Sequence, residues 1–361
     1  MNITIIAGAR PNFMKIAPLI RAIRAEQAKS KKMDYRLVYT GSSHDKSLEP
    51  ALFDDLGIDA PDCYLNVESA DFFERMAGIL VSFARELENH PTDLVLVVDD
   101  MTPTMACSIV AKKKGIKVAH LIAGTRSFDM DTPKEVNRMI TDGLSDYFFT
   151  AGMNSNRNLN QTGTEQAHVY FVGNILIDTL RANRSRFVRP LDLKTEIEEG
   201  KYILFTLNRR TIVDNPSLLR DLLEKLLAQT ELPIIAPLHD YAATRIQATG
   251  LDLNRMSLLP PQSYLHFGYL ESHAACIITD SGNVAEEATF LGIPCITLND
   301  YIEHPETVSL GTNVMVGTDL NALGQALQTL QEGRWKKHSL PERWDGRTAE
   351  RIIQILEEFA I

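Results

Sequence analysis

ITIIAGARPNFMK, residues 3–15, decides how the chain folds. Ile3 to Ala7 is a short apolar, β-branched run, and Gly8-Ala9-Arg10-Pro11 breaks it with turn residues before a helical pattern begins at Phe13. A strand that is apolar on both faces and runs through a tight turn into a helix is the opening of a parallel α/β sheet. The same unit recurs along the chain. Strands are expected at Tyr35–Thr40, Leu94–Val98, Val118–Ile122, Tyr147–Thr150 and Val169–Val172, with helices such as Phe13–Ala25, Phe72–Leu87 and Met105–Lys114 between them. A charged, helix-prone link from about Ser185 to Lys201 interrupts the pattern, which restarts at Tyr202–Thr206 and continues through Pro233–Pro237, Cys276–Thr279, Pro294–Thr297 and Asn313–Val316. The last helical face, Thr348–Ala360, carries Ile352, Ile355, Leu356 and Phe359.

This alternation predicts two doubly wound, Rossmann-like α/β domains facing a cleft. The first is expected over residues 1–175, completed by a C-terminal helix over 347–361, and the second over 176–346. A length of 361 residues suits two domains better than one. The net charge of −10 argues against a nucleic-acid or membrane-surface partner but leaves a phosphorylated ligand open, because phosphate is held by local donors. No run approaches the length of a membrane helix, and the apolar start lacks the basic region of a signal peptide. Cys63, Cys107, Cys276 and Cys295 are scattered without metal-ligand spacing and read as reduced thiols of a cytoplasmic protein, with no metal or cofactor implied.

In doubly wound sheets ligands bind beyond the carboxyl ends of the strands. Gly8 allows a sharp turn there, Arg10 offers a fork for phosphate or carboxylate, and Lys15 lies one turn into the helix, although a Gly-Arg-Pro turn is also simply a turn. Asp280-Ser281-Gly282-Asn283 precedes a second helix, whose N-terminus suits an anion. Glu286 and Glu287 follow, placed either to accept from a ribose or to face solvent. Leu207-Asn208-Arg209-Arg210 is another basic strand end. In Asp131–Arg138, Thr132 fits an N-cap, Pro133 fits N1 and Glu135 fits a capping box, whereas Lys134 puts a cation against the positive end of a helix dipole.

Taken together, these segments resemble the UDP-N-acetylglucosamine 2-epimerase family, whose fold is of the glycosyltransferase-B type. The resemblance runs through Gly8–Pro11 with Lys15, Asp100, His120 with Ala123–Arg126, Pro133–Arg138, Phe171–Asn174, Arg209-Arg210, His239, Thr279–Gly282 with Glu286-Glu287, and Leu291–Pro294. It implies a UDP-sugar ligand and a homodimer. It further implies UDP contacts from Arg10, Lys15, Arg209, His239, Phe267, Ser281, Gly282, Asn283 and Glu287, with the sugar near Asp100. The family's reaction removes the C2 proton as UDP departs, then re-adds UDP and a proton to give the other C2 epimer. Three carboxylates and a histidine do this work in the family.

Only Asp100 of that set is kept. Ile122 and Lys134 stand where glutamates are expected, and Asn208 where a histidine is expected. Gly41-Ser42-Ser43 replaces the usual Gly-Gln-His, and Ile302–Glu306 departs from Thr-Glu-Arg-Pro-Glu. Isoleucine has no titratable proton and an asparagine amide is no base near neutral pH. Replacement groups within the same set of loops are Asp99, His44, His120, Lys134 and His304, with Lys134 a base only if buried.

Overall fold

A computed structural model describes residues 1–29, 33–48, 50–194 and 197–359. The chain divides into two compact units, residues 1–182 with 342–361, and residues 183–341. The limit expected at 175/176 falls at the start of the helix Ile175–Asn183, most of which stays with the first unit.

The first unit holds seven strands: β1 Asn2–Ala7, β2 Asp34–Tyr39, β3 Cys63–Tyr64, β4 Leu94–Val98, β5 Lys117–Leu121, β6 Tyr147–Thr150 and β7 Val169–Phe171. They run in the order β3-β2-β1-β4-β5-β6-β7, with every pairing parallel. The second unit repeats that plan with β8 Ile203–Phe205, β9 Ile234–Pro237, β10 Met256–Leu259, β11 Cys276–Thr279, β12 Cys295–Thr297 and β13 Asn313–Met315. Its order is β10-β9-β8-β11-β12-β13, again parallel throughout. In each sheet the order reverses beside the first strand, between β1 and β4 and between β8 and β11. Loops diverge at such a switch point and leave a crevice at the strand ends.

Burial on both faces explains the apolar runs. Ile203, Phe205, Ile234, Cys276, Ile278 and Ile296 point to one face of the second sheet, into a core shared with the helices Pro216–Gln229 and Leu320–Gln331. Leu204, Ile235, Ile277 and Cys295 point to the other, against Tyr264–Ser272 and Gly282–Leu291. In the first sheet Ile6, Val38, Val95, Val97 and Val118 meet the helices Phe72–Asn89 and Thr102–Lys113. The helix Arg10–Gln27 packs on β1, β2 and β4, and Thr348–Phe359 packs on it.

Three points of the sequence reading need correction. Strands β3 and β10 have no counterpart in the sequence reading, because β3 is only the two residues Cys63–Tyr64 and Ser257 interrupts β10, so neither presents a continuous apolar run. The strand expected to reach Ile122 stops at Leu121, since Ile122 adopts a left-handed backbone with φ 68°. The link before Lys201 forms only a 3₁₀ turn at Arg184–Arg186, followed by Leu193 and Ile197 tucked into the second core, with residues 195 and 196 outside the described set. The final helix is described to Phe359, and Ala360 lies outside the described residues.

That final helix is fastened by a carboxylate. Asp178 accepts from Thr348 N at 3.1 Å and Ala349 N at 2.8 Å, capping the helix it receives. Burial pushes the Asp178 pKa up to about 6, against the pull of those two bonds. A folded-state value above the unfolded one makes the group's contribution to stability full below about pH 4 and lost as pH rises through about 6. The loss is on the order of 3 kcal/mol for a shift of about two units. In urea unfolding of the native chain and Asp178→Asn, the midpoint of the variant relative to native is therefore expected to climb from pH 4 to pH 7. Parallel pH profiles would show that Asp178 is not strained by burial.

Candidate active site

The carboxyl ends of β1, β2 and β4 open into a cavity of about 1020 Å³ in the first unit. Gly8 and Ala9, Thr40 to Ser42, His44, Asp100 to Pro103, and Pro133, Lys134 and Asn137 contribute to its wall. Two residues expected at acid–base positions, Asp100 and Lys134, are thus brought onto one surface, with His44 on the same wall.

Asp100 is buried and triply held. The Arg138 guanidinium reaches its Oδ2 at 2.5 Å, the Lys134 ammonium stands 3.5 Å from Oδ1, and Asn137 Nδ2 donates to its main-chain oxygen at 2.9 Å. All three come from the helix Pro133–Leu144, one turn apart, so that helix sets the carboxylate's position. Lys134 is 65% exposed along its side chain, so it lacks the burial on which a base role depended.

Glu135 lies behind them. Thr132 is the N-cap and Pro133 the first helical residue, but no capping box forms. The Glu135 carboxylate instead accepts from Ser127 N and Oγ, Phe128 N and Arg138 Nη1. Burial alone raises its pKa, yet these donors hold it below the usual carboxylate range. Arg138 therefore serves two buried acids with two arms of one guanidinium.

His120 does not line the cavity. It is buried in β5, with Nδ1 2.6 Å from Asp142 Oδ1 and Nε2 2.8 Å from the Asp99 carbonyl. Asp142 also takes Arg126 Nη1 at 2.6 Å and Gly124 N at 3.2 Å. Burial pushes the Asp142 pKa up, and the His120 and Arg126 contacts outweigh it and hold the group low. Ile122 is half-buried and also absent from the cavity wall, its N–H bonded to the Phe149 carbonyl at 2.9 Å. A left-handed conformation is unfavourable for a β-branched side chain, so the surrounding loop imposes it.

Lys15 was expected at phosphate. It is buried, with Nζ 2.7 Å from Asp99 Oδ1, so its charge is engaged within the unit. Arg10 is half-buried at the first position of its helix.

In the second unit the switch point joins two loops. Asp280 Oδ2 accepts from Asn208 N at 2.6 Å and Arg209 N at 2.5 Å. Arg209 also faces Asp300 at 3.4 Å, while the Asn208 and His239 side chains are exposed. Ser281 caps the helix Gly282–Leu291 without a side-chain bond of its own, and a Cβ at Gly282 would meet nothing within 4 Å, so the helix start stands open. Ser281, Gly282 and Asn283 are half-exposed there, as is Phe267 on the helix Tyr264–Ser272. Glu287 is buried, and so is a partner that the sequence reading missed. Burial, then the charge and hydrogen bond of Glu287, push the Glu271 pKa well above the usual range. A glutamate alone in the apolar helix Tyr264–Ser272 was the available signal. His304 lies 3.8 Å from Glu286, both buried.

Comparison with known proteins bears on the family and the fold. The model of the UDP-N-acetylglucosamine 2-epimerase family matches residues 25–357. The chain is 33% identical over 371 residues to the UDP-N-acetylglucosamine 2-epimerase of Methanocaldococcus jannaschii, covering 99% of each chain. To the UDP-2,3-diacetamido-2,3-dideoxy-D-glucuronate 2-epimerase of Pseudomonas aeruginosa it is 32% identical over 333 residues, covering 91% of this chain and 92% of the other. The crystal structure of the M. jannaschii UDP-GlcNAc 2-epimerase in complex with UDP-GlcNAc and UDP superposes with a TM-score of 0.85 at 32% identity, over 99% of this chain and 100% of that one. The Neisseria meningitidis enzyme bound to UDP-GlcNAc gives 0.86 at 27% identity, over 99% and 100%. The two Rossmann-like units are accordingly those of the glycosyltransferase-B type. Since the likeness spans both sheets as well as the helix that returns to the first unit, this chain belongs to the UDP-N-acetylglucosamine 2-epimerase family.

Proposed function

We propose that this protein binds a UDP-N-acetylhexosamine and interconverts its C2 epimers. The observation that carries this reading is Asp100, a buried carboxylate on the wall of a large cavity at a topological switch point, fixed by Arg138 and Asn137. The reaction needs a proton taken from C2 as UDP leaves C1, then UDP returned to C1 and a proton delivered to the opposite face of C2. Asp100 is assigned to proton transfer. Lys134, exposed and cationic, is assigned to the developing negative charge of departing UDP. Arg10, Arg209, His239, Phe267, Ser281, Gly282, Asn283 and Glu287 are assigned to the nucleotide, with the open helix start at Gly282 receiving phosphate. The free thiols suit a reducing, cytoplasmic compartment, and membership of the family suggests a homodimer supplying surface-polysaccharide precursors.

One observation favours a second reading, a UDP-sugar-binding protein with little turnover. Ile122 and Asn208 leave those two acid–base positions without a titratable side chain, and Lys134 lacks the burial that a base role there requires.

Two measurements separate the readings. Incubation with UDP-N-acetylglucosamine in D₂O, followed by proton NMR, is expected to show deuterium replacing hydrogen at C2. UDP is expected to raise the melting temperature, with roughly 2.7 kcal/mol of stabilisation when present at 100 times its Kd. A thermal shift without C2 exchange selects the second reading. No shift with either ligand, in the native chain or in Arg10→Ala, overturns both.

A further inference from the structure

Two adjacent aspartates at the end of β4 have separate partners. Asp100 faces the cavity and is held by the helix Pro133–Leu144. Asp99 points the other way. Its backbone is left-handed, with φ 61°, a conformation that favours glycine, although aspartate tolerates it better than most residues. Its carboxylate takes Asn12 Nδ2 at 3.0 Å on one oxygen and Lys15 Nζ at 2.7 Å on the other. Its main-chain oxygen lies 2.8 Å from His120 Nε2. Asn12 completes the link, because its Oδ1 accepts from Gly8 N at 2.9 Å and Ala9 N at 3.2 Å. The turn after β1 and the turn after β4 flank the switch point, and this chain of part-buried bonds ties one to the other.

We infer that Asp99 is a positioning residue: it latches the β4 turn to the β1 turn through Asn12 and Lys15, and so fixes where the Asp100 carboxylate stands in the cavity. An unfavourable backbone conformation persists only where the surroundings over-determine it. Here three separate partners do so, from the first helix and from β5. The latch also assigns Lys15, whose ammonium is spent on Asp99. Lys15 acts on the ligand through Asp99 and Asp100 rather than by touching phosphate. The statement about the sugar rests on the proposed UDP-sugar reading, whereas the latch itself does not.

The test uses the full chain with Asp99→Asn, Asp99→Gly and the double variant Lys15→Met/Asp99→Asn. The double variant guards against unfolding caused by a buried, unpaired ammonium. Without ligand, amide hydrogen exchange read by mass spectrometry is expected to quicken at least tenfold in peptides covering residues 6–13 and 97–104, and to stay unchanged in the second unit. Exchange unaltered at both turns in a folded variant overturns the latch. With ligand, calorimetry of UDP and UDP-N-acetylglucosamine is expected to show UDP affinity undiminished, while the ratio of the two dissociation constants shifts at least fivefold against the sugar. An unchanged ratio alongside quickened exchange would leave Asp99 a purely structural residue and overturn its positioning role. Failure of the native chain to bind either ligand would overturn the UDP-sugar reading, with the latch still decided by exchange.

Discussion

Restoring Glu, Glu and His together, as Ile122→Glu/Lys134→Glu/Asn208→His, is expected to raise kcat for C2 epimerisation of UDP-N-acetylglucosamine by at least about 10³-fold, while each single substitution gives less than about tenfold. A positioned acid or base contributes roughly 10²–10⁴-fold. Groups that act as a unit show grossly non-additive effects. The scaffold accommodates each change. At position 122 the backbone is left-handed, and an unbranched Glu is less crowded there than Ile. At 134 the side chain is exposed, and Arg138 remains to compensate Asp100 against a second carboxylate. At 208 the main chain is fixed by Asp280 whatever the side chain, which is exposed. Turnover would be followed by the C2 proton signal and UDP-sugar affinity by calorimetry. The assignment of these positions falls if Asn208→His alone reaches the triple variant's rate, or if the triple variant binds UDP-N-acetylglucosamine yet stays inert.

The second large effect is on stability. Arg138→Met is expected to cost about 3–5 kcal/mol, the usual consequence of removing one partner from a buried ion pair. Arg138 is 3% exposed along its side chain and bridges Asp100 at 2.5 Å and Glu135 at 3.2 Å. Without it, Asp100 keeps only the exposed Lys134 at 3.5 Å, and Glu135 keeps Arg126 at 4.0 Å and its Ser127 and Phe128 donors. Methionine fills the volume, so the measured loss reports charge rather than a cavity. Glu135 titrates below the usual range when folded, so its contribution is present at neutral pH and is lost as pH falls through that depressed value. The gap between native and variant should therefore narrow toward acid pH. Arg138→Lys should recover part of the loss, because it restores charge without the fork. Denaturant midpoints from about pH 2 to pH 8 decide the matter, and a loss under about 1 kcal/mol at pH 7 would show that the two acids find other partners.

Much of this molecule was legible in the sequence because parallel strands are buried on both faces. Continuous apolar runs such as Leu94–Val98 and Cys276–Thr279 announce themselves, and the turn residues that follow them mark the carboxyl ends where ligands bind. Ordered motifs along most of the length were enough to identify the family. Strands β3 and β10 escaped because β3 is only two residues long and Ser257 interrupts β10, so neither leaves a continuous apolar run. Gly173 stood in a motif without a stated reason; its φ of 104° and the Arg343 carbonyl 2.2 Å from where a Cβ would sit supply one.

What the sequence by itself determined was the alternation of strand and helix, the two units, and which residues stand at the strand ends. Those properties follow from local patterns of burial and turn chemistry. Tertiary structure alone decided what each charged group does. Lys15 meets Asp99 across 84 residues, Arg138 meets Asp100 across 38, and Asp178 caps a helix 170 residues away. An ion pair leaves no periodic trace in a sequence, because its energy depends on distance and on exclusion of water, both set only when the sheets assemble.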